Sequence, residues 1–239
     1  MRAGAGVRSA TVVIGREIEL DVLSRAVSGA RAGVSSCTVV VGEGGVGKTR
    51  LLSELVATAH QLGLGVAVGR APVSAPAPFS VMAEALRSWL RGHPRDALGT
   101  PFDRGVQLVL PEWPVTNAPG DLTPVQLRLL AFEGVVRLVR ELVDDACGAV
   151  VVLDDLHGAD ADSVEAVRYL VSAGVEGLAV VVAMRPGASA LADELVRAVR
   201  GERSTTVIDL RPLDAGGVGS LVAELLEAEP PPELVAEVV

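Results

Sequence analysis

Gly42-Glu43-Gly44-Gly45-Val46-Gly47-Lys48-Thr49 stands between an apolar run, Cys37-Thr38-Val39-Val40-Val41, and a leucine-rich stretch, Arg50-Leu51-Leu52-Ser53-Glu54-Leu55-Val56-Ala57. The β-branched run predicts a buried strand, and the second stretch predicts a helix. Strand, glycine loop and helix in that order fit the phosphate-binding P-loop, G-x-x-x-x-G-K-[ST]. The glycines let backbone N–H groups close around phosphate, the helix N-terminus adds its positive end, and the lysine ammonium reaches phosphate oxygens. The Thr49 hydroxyl is a ligand for Mg²⁺. Lys48 is the one lysine among 21 Lys and Arg residues. A chain that otherwise uses arginine keeps lysine here because a planar guanidinium cannot replace a compact ammonium inside a tight loop.

A second constellation lies downstream. Ala149-Val150-Val151-Val152-Leu153-Asp154-Asp155 is an apolar strand ending in two carboxylates, the Walker B arrangement. Beside a P-loop, Asp154 holds Mg²⁺ and Asp155 sits near the γ-phosphate, where it can orient or deprotonate an attacking water. The plainer alternative is an Asp-Asp turn that caps the next helix. Val180-Val181-Val182-Ala183-Met184-Arg185-Pro186 ends a third strand in one charge, so Arg185 is either a γ-phosphate contact or a solvated arginine. His157, next to the acidic pair, reads first as a loop histidine.

Bulk properties narrow the classes. With 239 residues, 49% apolar and 3% aromatic, the chain can build one large α/β core from Val, Leu and Ala. A net charge of −9 and the lack of basic clusters with interleaved aromatics argue against direct nucleic-acid binding. Cys37 and Cys147 each open an expected strand and read as small buried thiols rather than a disulfide. The scattered His60, His93 and His157 give no metal-ligand spacing. No apolar h-region, membrane-spanning run or basic amphipathic helix is present, which points to the cytoplasm and to no membrane role.

Along the chain, residues 1–11 read as a disordered tail. A helix follows, with apolar positions Ile18, Leu20, Leu23, Val27 and Ala30, ending near Gly33. A second strand spans 63–69, and a loop with Pro72, Pro76 and Pro78 leads to a helix over 80–91. Residues 92–124, with Pro94, Pro101, Pro111, Pro114, Pro119 and Pro124, form the least regular stretch. Thr123 caps a long helix over 124–146. Strands are expected at 149–153, 178–184 and 205–210, and helices near 161–173, 190–200 and 214–228. Pro230-Pro231-Pro232 stops the last helix, and Glu233–Val239 opens a new helical pattern, as if cut from a longer chain. Continuous Val/Leu runs mean strands buried on both faces, hence a parallel sheet covered by helices.

Taken in order, Val13-Ile14-Gly15-Arg16-Glu17, the P-loop, Leu153-Asp154-Asp155-Leu156-His157, Arg185-Pro186 and Leu210-Arg211-Pro212-Leu213 resemble the STAND branch of the AAA+ P-loop ATPases. More narrowly, they are similar to the N-terminal ATPase module of large LuxR-type ATP-binding transcriptional regulators. Ala75-Pro76-Ala77-Pro78-Phe79 and Leu110-Pro111-Glu112 also fit that group. The resemblance covers residues 12–227. It implies a P-loop NTPase three-layer sandwich with a parallel five-stranded sheet of order 5-1-4-3-2. It also implies an ATPase domain over 12–212 and the start of a truncated helical lid over 213–239.

The cofactors implied are ATP and Mg²⁺. The implied nucleotide-binding set is Arg16, near the adenine or ribose, with Gly42, Glu43, Gly44, Gly45, Val46, Gly47, Lys48, Thr49 and Arg50. Thr49 and Asp154 take the metal, Asp155 the water, and Arg185 senses the γ-phosphate. The partners implied are ATP or ADP, the helical-repeat and DNA-binding modules of a longer protein, and a nucleotide-dependent oligomer. Two features depart from the pattern: Gly158 stands where relatives often carry tryptophan, and the second acidic residue is Asp rather than Glu. The expected function is a slowly hydrolysing regulatory switch; a P-loop small-molecule kinase and a non-hydrolysing nucleotide-binding scaffold are the alternatives. A kinase needs several basic residues near the γ-phosphate, and Arg185 alone has a clear placement in the sequence.

Overall fold

The structure is a computed structural model that describes residues 13–72, 77–99, 101–115, 121–201 and 204–226. Five parallel strands make its sheet: β1 (Ser36–Val41), β2 (Gly65–Arg70), β3 (Ala149–Asp154), β4 (Leu178–Met184) and β5 (Thr205–Asp209). Their order is β2-β3-β4-β1-β5, the expected order read from the other edge. Every residue of β3 and β4 is buried. Period-two geometry sorts their continuous valine runs onto two faces.

Val150, Val152, Ala179 and Val181 face α1 (Glu17–Arg31) and α2 (Lys48–Gln61), where they meet Leu23, Val27, Leu51 and Leu55. Val151, Leu153, Val180 and Val182 face the opposite way. There they meet α3 (Ser80–Leu90), α5 (Pro124–Asp144), α6 (Ala161–Ser172) and α7 (Ala190–Val199). The result is three layers, helices on both faces of a buried sheet.

Register aligns the strand ends. Val41 lies opposite Met184 and Asp209, and Arg70 lies opposite Asp154. The carboxyl ends therefore share one edge, where open α/β sheets place their ligands.

Several expectations need correction. The stretch 92–124, expected to be the least regular, holds one helix among its described residues, α4 (Phe102–Val109), which packs on α5. Two glycines make that packing possible, since a Cβ on Gly105 would stand 2.2 Å from the Leu130 carbonyl and one on Gly134 would stand 2.5 Å from Val106. Asp103, fully buried, pins the surrounding loop by accepting from Leu98 N at 2.7 Å, Gly99 N at 3.1 Å and Trp113 Nε1 at 3.0 Å. Cys37 is buried as expected, but Cys147 is exposed, because the chain turns at Gly148 before β3 begins. Ile18, counted on the apolar stripe of α1, is 80% exposed in its first turn.

The long helix keeps its expected start: Thr123 caps α5 in a full capping box with Gln126. The last described helix is α8 (Ala215–Leu226). Among the described residues no helix is long and apolar enough to cross a membrane. The tail over 1–11, the proline stop at 230–232 and the pattern beyond it lie outside the described residues, as do Ala75 and Pro76.

Candidate nucleotide site

The P-loop joins the end of β1 to α2 at the carboxyl edge. Gly47 precedes α2 at φ 104°, a left-handed conformation that excludes ordinary side chains. Gly42 runs against the neighbouring chain: a Cβ there would stand 2.7 Å from the Leu210 carbonyl. Lys48 is 5% exposed and donates from Nζ to the carbonyls of Gly42 and Glu43, both at 2.7 Å. Burial and then the nearby Arg185 push its pKa down, while Asp155, Asp154 and Glu43 pull it back up. Its ammonium is thus held by two neutral carbonyl acceptors, from which a phosphate anion can draw it.

Thr49 and Asp154, 105 residues apart, meet in one hydrogen bond: Thr49 Oγ1 donates to Asp154 Oδ2 at 2.7 Å. The other Asp154 oxygen accepts from the Asp155 backbone N–H at 2.9 Å. A hydroxyl and a carboxylate held together in this way fit a hard divalent cation, which Mg²⁺ chemistry completes with phosphate oxygens and water. Among the described residues no three His, Cys, Asp or Glu groups gather into a metal cage, so such a cation would depend on the nucleotide for its remaining ligands.

Asp155 leaves the strand in the left-handed region at φ 54°, one of two non-glycine residues there among those described. Aspartate tolerates that conformation better than most residues. Its carboxylate is not free. Arg70 donates to Asp155 Oδ2 from Nε at 3.0 Å and from Nη2 at 2.8 Å. Arg70 is the site residue that sequence reasoning missed. Its signal was the one used for Arg185, a charge at a strand tip, but the expected strand stopped one residue short, at Gly69.

Arg185 follows β4 and lays its guanidinium against the loop, 3.1 Å (Cζ) from where a Gly44 Cβ would stand. Arg50 lies in the first turn of α2 and pairs with Glu54 at 2.5 Å. Gly44, Gly45, Gly47, Lys48, Thr49, Arg50, Arg70, Asp155 and Arg185 together line an open cleft of about 210 Å³. The structure thus brings three arginines to this cleft: Arg50 and Arg185, both expected at the site, and Arg70, which was not. Glu43 contributes through its carbonyl, and Val46 through its own carbonyl to Arg16. His157 sits in the 3-10 turn Leu156–Gly158, and its pKa is lowered mainly by burial.

Arg16 lies on the other side of the loop. It lines a second cavity of about 430 Å³ between Ile14–Glu17 and Pro212, Leu213, Asp214, Gly217 and Ser220. Its guanidinium does not point into empty space. Nη2 donates to Val46 O at 3.2 Å and to Arg211 O at 2.5 Å, and Nη1 faces Glu19 Oε1 at 3.4 Å.

A family model for the AAA ATPase domain matches residues 12–182. No curated protein matches the chain. Solved structures do. Cdc6p from Pyrobaculum aerophilum is 16% identical with a TM-score of 0.56, covering 94% of this chain and 52% of that one. The ORC2 protein of Aeropyrum pernix, solved with ADPNP and ADP, is 17% identical with a TM-score of 0.51, covering 92% and 54%. A STAND protein with a tetratricopeptide repeat sensor from Pyrococcus horikoshii is 19% identical with a TM-score of 0.53, covering 97% and 28%. At these identities the likeness is one of fold. The chain spans about half the length of the first two and less of the third.

Proposed function

Because this chain belongs to the AAA ATPase domain family, we propose that it is a STAND-type switch module that binds Mg-ATP, hydrolyses it slowly and regulates modules of a longer, LuxR-type transcriptional regulator. The observation that carries the reading is the Thr49–Asp154 hydrogen bond, which joins the phosphate loop to the acidic strand tip. The second cavity, bounded by the backbone of Ile14 and Gly15, takes the base. Lys48 exchanges its two loop carbonyls for phosphate oxygens. Thr49 and Asp154 would hold Mg²⁺, which would supply charge neutralisation on the phosphates. Arg185, already against Gly44, is placed to approach the terminal phosphate, and Asp155 serves the attacking water.

The pairing of Asp155 with Arg70 supports slow turnover. A carboxylate oxygen that accepts two guanidinium hydrogen bonds must give them up before it can take a proton from an attacking water. The same pair gives the non-hydrolysing scaffold specific support, whereas Arg50 and Arg70 do little for the kinase reading because acidic partners already engage them.

Calorimetry together with phosphate release, with and without a phosphoryl acceptor, tests the reading. Lys48→Ala should weaken Mg-ATP binding roughly 10- to 150-fold, the equivalent of about 1.5–3 kcal/mol for a charge-assisted contact. Unchanged affinity would overturn the site. Binding with no phosphate release would leave the scaffold, and acceptor-dependent transfer would make the protein a kinase.

A further inference from the structure

Arg16 is the one buried arginine among the described residues, at 8% exposure; one of its nitrogens, Nη1, pairs with Glu19 at 3.4 Å, while the other, Nη2, ends on two backbone carbonyls. A guanidinium withdrawn from water costs free energy unless its donors are matched, and carbonyl oxygens are fitting acceptors. The two carbonyls belong to different parts of the molecule. Val46 is in the phosphate loop, between Gly45 and Gly47, both at positive φ. Arg211 lies just beyond the point where Leu210 N donates to Val41 O, the last tie of the chain to the sheet edge before α8.

α8 itself is held loosely. It is apolar in sequence, Ala215-Gly216-Gly217-Val218-Gly219-Ser220-Leu221-Val222, but none of its residues is buried, and Leu225 and Leu226 are 43% and 53% exposed. It approaches the body where Gly15 meets its first turn. A Cβ on Gly15 would stand 3.1 Å from Leu213 Cδ2 and 3.6 Å from Gly217 Cα. A helix with so little buried surface draws its position from the few contacts at its root.

We infer that Arg16 is a positioning residue, a latch that holds the root of α8 to the phosphate loop and couples displacement of one to displacement of the other. Its guanidinium spans Val46 O and Arg211 O with a single nitrogen, so a shift in either carbonyl weakens both bonds. Nucleotide that reorders the loop around Val46 is then felt at α8. The latch stands without any ligand; its use as a nucleotide reporter rests on the function proposed above.

Hydrogen exchange on the full chain reads the latch directly. In the absence of nucleotide, Arg16→Ala should speed exchange across residues 215–226 at least about 10-fold, a change of ~1.4 kcal/mol in local opening, with β3 and β4 unchanged. Arg16→Lys, which keeps the charge but lacks the planar guanidinium fork, should fall between. Equal exchange in 215–226 for wild type and both variants would overturn the latch. Should Arg16→Ala lose protection throughout, Arg16→Lys is judged by the same criterion.

Mg-ADP gives the second arm. It should protect residues 42–50 in wild type and Arg16→Lys alike, but carry protection into 215–226 more strongly in wild type. Equal transfer to α8 in both would overturn the coupling. No protection of 42–50 even in wild type would count against the nucleotide reading and leave the nucleotide-free comparison to decide the latch.

Discussion

At the residue scale, the function proposed above makes the cleft's chemistry turn on how one carboxylate is restrained. Asp155 is bent into the left-handed region and held by Arg70, whose side chain is 57% exposed. Solvent screening limits such a pair to about 0.2–1 kcal/mol. If that energy is lost whenever Asp155 turns toward water, freeing it should speed turnover by the same amount. Arg70→Ala is therefore expected to raise the rate of phosphate release about 1.4- to 5-fold, with Mg-ATP affinity kept within about 2-fold. Asp155→Asn in the same background should cancel the gain. A slower Arg70→Ala enzyme would mean that Arg70 meets the phosphate instead of restraining the base.

At the scale of elements, another carboxylate fastens two helices. Asp160 caps α6 by accepting from Ser163 N at 2.8 Å, and it also accepts from Phe79 N at 2.8 Å and Ser80 N at 3.0 Å at the start of α3. Burial pushes its pKa up, but the bonds from Ser163, Phe79 and Ser80 prevail and hold it below the ordinary aspartate value. A lowered folded-state pKa stabilises above the unfolded value, about 3.9, and that contribution fades as pH falls through the folded value. Asp160→Asn should thus cost roughly 1–2 kcal/mol at pH 7 in denaturant melts, with the gap from wild type closing below about pH 4. A gap independent of pH would place the loss in shape rather than charge.

These helix ends also mark what the sequence could convey. The strands β1, β3 and β4 were legible because short uninterrupted valine runs bounded by turns have few other uses. The Lys48, Thr49 and Asp154 cluster was legible because two motifs must meet at one sheet edge. The helix α4 was hidden by prolines on both sides. Its support comes from Gly105 and Gly134 fitting against α5, and from Asp103 inside the core, all long-range or buried-polar effects without a local signature. Arg70 was lost by one residue of strand length, and the double use of Asp160 needs Phe79, 81 positions away, to be brought beside it.

At the scale of the whole molecule, charge is distributed against its own average. The chain carries −9, yet Lys48, Arg50, Arg70 and Arg185 gather at the carboxyl edge of the sheet. A compact polyanion is drawn to that edge, while an extended one meets the acidic remainder. This arrangement predicts how stability responds to nucleotide. A ligand at 100 times its dissociation constant adds about 2.7 kcal/mol, which for a domain of this size is a shift of roughly 5–11 °C in the melting midpoint. If Arg185 contacts the γ-phosphate, a non-hydrolysable Mg-ATP analogue should exceed Mg-ADP at equal concentration by about 1.4 kcal/mol, roughly 3–6 °C more, for a tenfold affinity difference. Arg185→Ala should erase that excess and keep the ADP shift, since Lys48, Thr49 and Asp154 remain. Equal shifts in the unmutated protein would leave Arg185 as a lid on Gly44 with no part in telling ATP from ADP, and the module would then hold nucleotide without reading it.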